Sequence, residues 1–301
     1  MKPFTTLRYE GLGGLRALAE RVDGVEKVPL RYPCKGVERS TDRYCGLMNT
    51  RSGELTAAVS KDYGTLTHGE VIHLMANKLE GRHLNNVHGV INELSDGNVM
   101  KLGIFFDDLA PINDTKSNLT PGIVIRNPYG NSGGRRAFHG EGYYLRSICW
   151  NFGIVGNILP ELDITEFHAD TIFSKVSFEL DSFIQKHIDG SVTVLRAIQT
   201  SQTRLITMQD SHEIAVALEI IGIAEKHADG IADKVKFGGE FPSYYDIYNG
   251  MTNYTSNTAS LTGNVRERLE SMAAKFINPT YTVPAMVGRT VLTQTPVALV
   301  A

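Results

Sequence analysis

The chain has 301 residues and a formal net charge of -3, and 42% of its residues are hydrophobic while 21% are charged. This balance is typical of a globular protein that forms its own core, and it argues against a protein that coats duplex DNA with its whole surface. No apolar run reaches the roughly 18 residues of a membrane helix, and the first residues lack an apolar leader, so we expect a cytoplasmic protein without a membrane span.

The first 40 residues mix glycines, charges and isolated apolar positions, which predicts an irregular N-terminal arm with one short helix near residues 12–19. Two strand-like runs follow, DRYCGLMN and ELTAAVS, and the TRSG between them is typical of a hairpin turn. In THGEVIHLMANKLEG, Thr67 and Glu70 have the spacing of a capping box, and Gly81 is typical of a helix end. We therefore expect a β-hairpin followed by a helix.

Three further strands are expected in the middle of the chain. NVMKLGIFFDD is rich in apolar residues, and two more apolar runs, GIVIRNP and AFHGEGYYLRSICW, flank the turn-rich YGNSGGRR. The segment from Asn127 to Asn151 therefore predicts a hairpin with a long glycine-rich tip, continuous with a sheet that contains Val99 to Phe106.

Helical periodicity dominates the remaining sequence. Apolar residues spaced along 171–188 predict a long amphipathic helix that packs on one face of the sheet. SHEIAVALEIIGIAEKHADG predicts a second helix that begins at Asp210 or Ser211 and ends at Gly230. SYYDIYNGMTNYTSN and VRERLESMAAKF predict two more helices, and the apolar, β-branched tail after Pro279 is typical of an extended segment.

The order of these elements predicts an α+β fold with an antiparallel, hairpin-rich N-terminal half and a C-terminal helical half packed on the sheet. The expected organisation is an N-terminal arm over 1–40, an α+β core domain over 41–277 and an extended C-terminal tail over 278–301.

The glycine-rich tip is the candidate binding site for nucleic acid. Glycines let backbone N–H groups approach a phosphate closely, and arginines add charge-assisted hydrogen bonds. Tyr143, Tyr144 and Trp150 would stack on bases if they face outward, whereas the alternative is a flexible tip above a core in which these rings are packed. Arg146 is also expected to stabilise the strand through a partly buried ion pair or hydrogen bond. The candidate residues are Asn131, Ser132, Gly133, Gly134, Arg135, Arg136, Tyr143 and Arg146.

Other polar patterns predict no catalytic constellation. The GLGG at 11–14 lacks the preceding strand and the third glycine of a dinucleotide-binding fingerprint, so we expect a turn. Asp107 and Asp108 would need further carboxylates to form a nuclease site. The DSH that begins at Asp210 is more typical of a helix N-cap than of a catalytic triad.

Histidines and cysteines also lack the spacing of a metal site. Four histidines stand beside acidic residues, but none forms HExxH, and the three cysteines have no CxxC spacing, which favours a reducing compartment. We therefore expect neither a metal nor a cofactor. The histidine–acid neighbours are His168 with Asp170, His187 with Asp189, His212 with Glu213, and His227 with Asp229, and the cysteines are Cys34, Cys45 and Cys149.

Four short motifs occur in order between about residues 40 and 275: KDYGTLTHGEV, IRNPYGNSGG, YYLRSICWNFG and YYDIYNGMTNYTSN. Together they resemble the phage/plasmid-like family of uncharacterised proteins known as domain of unknown function 932, in which similar motifs recur in the same order. The chain departs from that family at Gly250, where Ala is usual, and at Phe152, where Gly or Thr is commoner.

The resemblance implies a gene carried by viruses, plasmids or integrated elements, close to genes for DNA processing. With the basic glycine-rich hairpin, it predicts a homo-oligomeric protein that binds or anneals single-stranded DNA in recombination or replication, without a cofactor. One alternative is a non-enzymatic structural or assembly protein whose arm and apolar tail build a homo-oligomer. A second alternative is a nucleic-acid-processing enzyme.

Overall fold

The structure is a computed structural model of the chain, and it describes residues 5–94, 97–109, 111–114, 117–130, 138–146, 152–153, 161–165, 171–236, 239–283 and 290–292. Its elements in chain order are β1 (Thr5–Glu10), α1 (Gly11–Leu18), β2 (Val25–Cys34), β3 (Val37–Asn49), β4 (Leu55–Ser60), α2 (His68–Glu80), β5 (Val87–Leu94), β6 (Val99–Phe106), β7 (Ile112–Asp114), β8 (Ser117–Pro128), β9 (Phe138–Arg146), β10 (Phe152–Gly153), β11 (Glu161–Ile164), α3 (Ile172–Asp189), α4 (Ser191–Thr203), β12 (Arg204–Ile206), α5 (Ser211–Ile220), α6 (Glu225–Ala232), α7 (Tyr244–Asn257), α8 (Gly263–Ile277) and β13 (Thr290–Leu292).

The chain divides into two compact units. Unit 1 consists of Met1–Ala110, Pro121–Gly142 and Pro160–Ile188, and unit 2 consists of Pro111–Thr120, Tyr143–Leu159 and Asp189–Ala301.

The main sheet has the strand order β1-β5-β6-β8-β9-β10, with β7 paired to β8 and β11 paired to β9. Its central strand β6 is antiparallel to β5, from Val87↔Phe106 to Leu94↔Val99, and antiparallel to β8. Almost every side chain of β6 is buried, which is why its sequence VMKLGIFF is nearly continuous in apolar residues.

Helices α1, α2 and α3 share one hydrophobic core with this sheet in unit 1. Each buried Leu or Ile side chain contributes about 1.5–3 kcal/mol, so the apolar face of α3 is a large part of this core. Asp181 of α3 pairs with Lys78 and, at 2.6 Å, with Arg82 Nη1, which ties α3 to α2 and the residues after it. The α3 residues in the core are Ile172, Val176, Leu180, Phe183 and Ile184.

Unit 2 has its own core, to which helices α4 to α8 contribute. Arg204 is buried there, lies 4.1 Å above the ring of Tyr244, and donates hydrogen bonds to the carbonyls of Pro279 (3.0 Å) and Tyr281 (2.6 Å). This guanidinium therefore holds the segment that follows α8.

The structure confirms the α+β class and most of the expected elements. The predicted hairpin is formed by β3 and β4, and α2 has the predicted capping box, in which Thr67 and Glu70 each satisfy the other's backbone N–H. Strands β8 and β9 flank the glycine-rich tip and lie in the sheet that contains Val99–Phe106, and α3 packs on that sheet.

The first 40 residues contain the expected short helix, α1, but otherwise differ from the expected irregular arm. Strand β1 pairs with β5, α1 buries Leu12, Leu15 and Leu18 in the unit 1 core, and β2 pairs with β3. The GLGG at 11–14 was expected to be a turn with no preceding strand, but it directly follows β1 and begins α1. The isolated apolar positions of this segment therefore belong to a strand and a short helix within unit 1.

The helix expected from 210 to 230 is two helices. Asp210 is the N-cap, as predicted, since its side chain accepts a hydrogen bond from Glu213 N. Gly222 has φ +98°, a conformation that ends α5, and α6 begins three residues later and contains Gly230 in its interior. Helix α4 was not expected from the sequence. In the tail, residues 290–292 form a strand that pairs with β12.

No helix in the described ranges is both long and apolar enough to cross a membrane.

Candidate nucleic-acid interface

Strands β2 and β3 form a long hairpin in unit 1, here called the basic hairpin (Val25–Asn49), and β4 pairs with its inner half. Its turn is Lys35-Gly36, with φ values of 52° and 75°. Two positive φ values between directly paired Cys34 and Val37 are typical of a type I′ turn, whose twist matches that of a hairpin. Nearly all side chains from Arg31 to Ser40 are exposed.

Basic residues recur at every fourth position of the basic hairpin, and all five are exposed. Two acidic residues lie between the first and the last of them, so the outer hairpin is positive although the chain is negative. One of these acids, Glu38, pairs with Arg31 at 3.5 Å, but both side chains are about two-thirds exposed, and such a surface pair contributes little to stability. The five basic residues are Lys27, Arg31, Lys35, Arg39 and Arg43.

Three of these cations have no counterion along the described stretches of the chain. Lys35, Arg39 and Arg43 form no ion pair there, whereas Asp42 lies 3.9 Å from Lys61 of the loop that follows β4. These three side chains are therefore available to bind a polyanion without first breaking an ion pair among the described residues.

Two exposed tyrosines lie beside these cations in the sequence. Tyr32 is 47% exposed and lies directly opposite Arg39, so the two side chains share one face of the hairpin. Tyr44 is 53% exposed and lies opposite Ser60 of β4. An aromatic ring beside a guanidinium offers a base a surface for stacking and a phosphate a cation.

The root of the basic hairpin is held by a polar network that is buried except for Arg51, here called the anchor cluster (Asp23, Arg51, His68, Glu93 and Tyr129). Tyr129 Oη accepts a hydrogen bond from His68 N at 2.7 Å and donates one to the carbonyl of Asp23 at 2.8 Å. This one hydroxyl joins the start of α2, the end of β8 and the loop before β2. Because burial and the neighbouring carboxylates raise the pKa of Tyr129, the phenol stays protonated.

Two buried carboxylates of the anchor cluster share one arginine. Asp23 Oδ1 lies 2.8 Å from Arg51 Nε, and Glu93 Oε2 lies 3.9 Å from Arg51 Nη1. Glu93 Oε1 also accepts a hydrogen bond from Asp23 N at 2.7 Å, and Asn49 Nδ2 donates one to Asp23 Oδ2 at 3.0 Å. Burial is the main cause that raises the pKa of Glu93. The cluster therefore joins the β3–β4 turn to β5 of the main sheet.

His68 is fully buried, and its ring has two defined partners. Its Nε2 lies 3.0 Å from the carbonyl of Gly97, and its Nδ1 lies 3.0 Å from Asn127 Nδ2. Since a carbonyl only accepts and an amide nitrogen only donates, the ring is neutral with its proton on Nε2. Burial lowers the pKa of His68 to about 3, which agrees with a structural histidine rather than a solvent-exposed acid or base.

The root of the glycine-rich tip lies against β4. Gly130 has φ +57°, and a Cβ atom at this position would stand 2.4 Å from Ala57 Cβ. The backbone of Gly130 also forms a hydrogen bond with the phenol of Tyr63, which lies in the loop between β4 and α2. The structure thus brings two of the ordered motifs, KDYGTLTHGEV and IRNPYGNSGG, into contact at the sheet that carries the basic hairpin.

The residues predicted as the binding site are placed as follows. Asn131, Ser132, Gly133, Gly134, Arg135 and Arg136 lie outside the described residues, as does the side chain of Arg146, whose backbone belongs to β9. Tyr143 and Tyr144 are buried, so neither ring is open to a base, in agreement with the packed alternative. Cys149 and Trp150 also lie outside the described residues.

The two neighbouring carboxylates that follow β6, Asp107 and Asp108, have different partners. Asp107 Oδ2 lies 2.8 Å from His88 Nδ1, and Asp108 accepts a hydrogen bond from Asn86 N at 2.8 Å. Over the described ranges, no three His, Cys, Asp or Glu side chains stand together as a metal site would require.

A second histidine site joins β9 and β11. His139 Nδ1 lies 2.7 Å from Asp163 Oδ1, and Nε2 lies 2.6 Å from Glu141 Oε1. Burial alone would lower the pKa of His139, but its hydrogen bonds to the two carboxylates and their charges outweigh burial and raise it. Because the carboxylates occupy opposite sides of the ring, this group holds the two strands together and its donors do not converge on a metal.

The basic hairpin was not predicted from the sequence, although its signal is present there. Five cations spaced by four residues, with Tyr32 between two of them and Tyr44 directly after the last, lie in the segment expected to form an arm and in the strand-like run that follows it. Comparison of the chain with protein-family models, curated proteins and solved structures found no match.

Proposed function

We propose that the protein binds single-stranded nucleic acid, with DNA as the expected substrate, through the basic hairpin. The observation that carries this proposal is the pairing of exposed, unpaired cations with exposed tyrosines on one rigidly rooted hairpin. Arg39 stands opposite Tyr32, so a phosphate and its base would meet a guanidinium and an aromatic ring together.

The tyrosines favour single strands over duplexes. A stacking ring needs an unpaired base face, which a duplex hides, while the cations alone would attract either form. Arg135 and Arg136, the cations predicted from the glycine-rich sequence, are proposed to contribute to the same binding activity. Annealing of complementary strands during replication or recombination of a mobile element is the role that we assign to this binding, and no cofactor takes part in it.

The test is equilibrium binding of a labelled oligothymidylate, measured by fluorescence anisotropy at low salt. Tyr32→Ala with Tyr44→Ala should weaken binding, since each stacked base contributes about 1–3 kcal/mol, whereas Tyr32→Phe with Tyr44→Phe should retain it. Lys234→Ala with Lys236→Ala, which removes two exposed cations from unit 2, is the matched control and should bind as the wild type does.

Two results would overturn the proposal. One is a wild-type protein that binds no oligonucleotide at low salt. The other is equal loss of affinity in the Ala and Phe variants or in the lysine control, because then no aromatic surface of the hairpin takes part. The double variant Arg135→Ala with Arg136→Ala separately reports whether the glycine-rich tip contributes.

A further inference from the structure

The exposed face of α5 and α6 has the opposite charge to the basic hairpin. Six acidic residues and one basic residue, Lys226, lie between Asp210 and Asp233. All seven side chains are exposed. The acidic residues are Asp210, Glu213, Glu219, Glu225, Asp229 and Asp233.

This acidic face also has an apolar centre. On α5, Val216 is 42% exposed and Ile220 is 50% exposed, and they lie one helical turn apart beside Glu213 and Glu219. The buried residues Ile214, Ala217 and Leu218 occupy the opposite side of the helix, so these two residues are not part of the unit 2 core.

The basic hairpin has the complementary pattern. Exposed apolar side chains at Tyr32, Val37, Tyr44 and Leu55 lie among its cations and on the neighbouring strand β4. Exposed apolar residues rimmed by charge are typical of protein interaction sites, and complementary charge sets which surfaces meet.

We propose that the acidic face of α5 and α6 of one copy of this chain binds the basic hairpin of a second copy. Such a contact joins two different surfaces, so it is heterologous, and repeating it builds a ring or a filament. Tyr32 and Val37 lie near Arg39 on the same face of the hairpin, and in one copy they would contact Val216 and Ile220 of the next, with Arg39 and Arg43 facing Glu213 and Glu219. The inference concerns a protein partner and holds whether or not the hairpin also binds nucleic acid.

The test is sedimentation velocity of the full chain and of three charge variants at low and high salt. The wild type should sediment faster as its concentration rises at low salt, and high salt should abolish this rise. Glu213→Lys with Glu219→Lys should abolish it, and so should Arg39→Glu with Arg43→Glu. A chain that carries all four changes has both charges exchanged, and it should regain self-association.

The chain with all four changes is the decisive variant. If the wild type associated through two copies of a single surface, exchanging the charges would not restore that contact, and this chain would remain monomeric. The inference is overturned if the wild type remains monomeric at low salt, or if the exchanged chain remains monomeric while the wild type associates. The Glu213→Lys, Glu219→Lys variant keeps the basic hairpin, so its oligonucleotide binding tests the proposed function separately. Loss of self-association with retained binding supports the inference.

Discussion

The phenol ring of Tyr129 stacks on the imidazole of His68, with ring centroids 4.0 Å apart and planes inclined by 11°. The same phenol accepts the backbone N–H of His68 and donates to the carbonyl of Asp23. One side chain therefore connects the root of the glycine-rich tip, the first turn of α2 and the entry to the basic hairpin. A rigid root limits the conformational entropy that a binding hairpin loses when it engages its ligand.

Removal of the phenol hydroxyl should weaken this connection. Tyr129→Phe keeps the stacked ring but leaves the N–H of His68 and the carbonyl of Asp23 buried without their partner, so we expect a loss of about 1–3 kcal/mol in the free energy of unfolding. Urea denaturation measures it. Tyr44→Phe, at an exposed ring, should change stability by less than about 0.5 kcal/mol. Equal effects of the two substitutions would show that the hydroxyl of Tyr129 stabilises nothing.

Stability should fall in mild acid because of His68. The pKa of this ring is lowered from 6.5 to about 3 by burial, so between these values the unfolded chain binds a proton that the folded chain excludes. The contribution is fully present above about pH 6.5 and is lost as the pH falls, by about 1.4 kcal/mol per pH unit.

The corresponding experiment compares urea unfolding of the wild type and of His68→Gln at several pH values between about 4 and 6. Carboxylates that are common to both proteins cancel in the comparison. The variant should lose stability less steeply as the pH falls, and parallel curves for the two proteins would contradict a buried, neutral His68.

Gly97 should be intolerant of any side chain. It has φ +84°, and a Cβ atom would stand 2.0 Å from the buried Oδ2 of Asp23. Gly53 has a similar φ of +69° with nothing within 4 Å, so Gly53→Ala measures the backbone strain alone. Gly97→Ala should cost about 1–3 kcal/mol more than Gly53→Ala, because the carboxylate must also move. Thermal or urea unfolding of the two variants measures the difference in their free energies of unfolding. Equal losses would show that the carboxylate of Asp23 does not lie beside Gly97.

Arg51 should contribute more to the free energy of unfolding than is usual for a half-exposed side chain. It is the cation beside the buried carboxylates of Asp23 and Glu93, so Arg51→Ala should cost about 1–3 kcal/mol, less than the loss of a fully buried pair because half of its side chain is exposed. Arg31→Ala removes an arginine whose partner Glu38 is exposed, and it should cost less than about 0.5 kcal/mol. Urea unfolding of both variants measures these losses. Equal losses in the free energy of unfolding would show that Arg51 does not stabilise the anchor cluster.

Local signals were sufficient to predict much of the fold. Thr67 and Glu70 mark the start of α2 by their own spacing, and Asp210 marks the start of α5, because a helix cap is formed within four residues. The periodicity of α3 likewise shows which side of the helix is buried.

Tertiary contacts were not predictable in the same way. Tyr129 lies 61 residues from His68 and 106 from Asp23, and neither the hydrogen bonds nor the burial of these residues leaves a local pattern. Gly222 breaks an apolar run that continues on both sides of it, so periodicity alone predicted one helix. The basic hairpin was missed because strand β2 is exposed over most of its length and shows no alternation of apolar and polar residues.

The measurement that tests the central claim most directly is the salt dependence of oligothymidylate binding, compared between the wild type and the triple variant Lys35→Ala, Arg39→Ala, Arg43→Ala. Each cation that contacts a phosphate of a single strand contributes about 0.7 to the slope of log K against log salt, so the triple variant should lose about 2 from this slope. The matched control removes three exposed lysines of α6 and the residues after it, Lys226, Lys234 and Lys236, and it should keep the wild-type slope. An unchanged slope in the hairpin variant, or an equal loss in the control, would contradict binding by the basic hairpin.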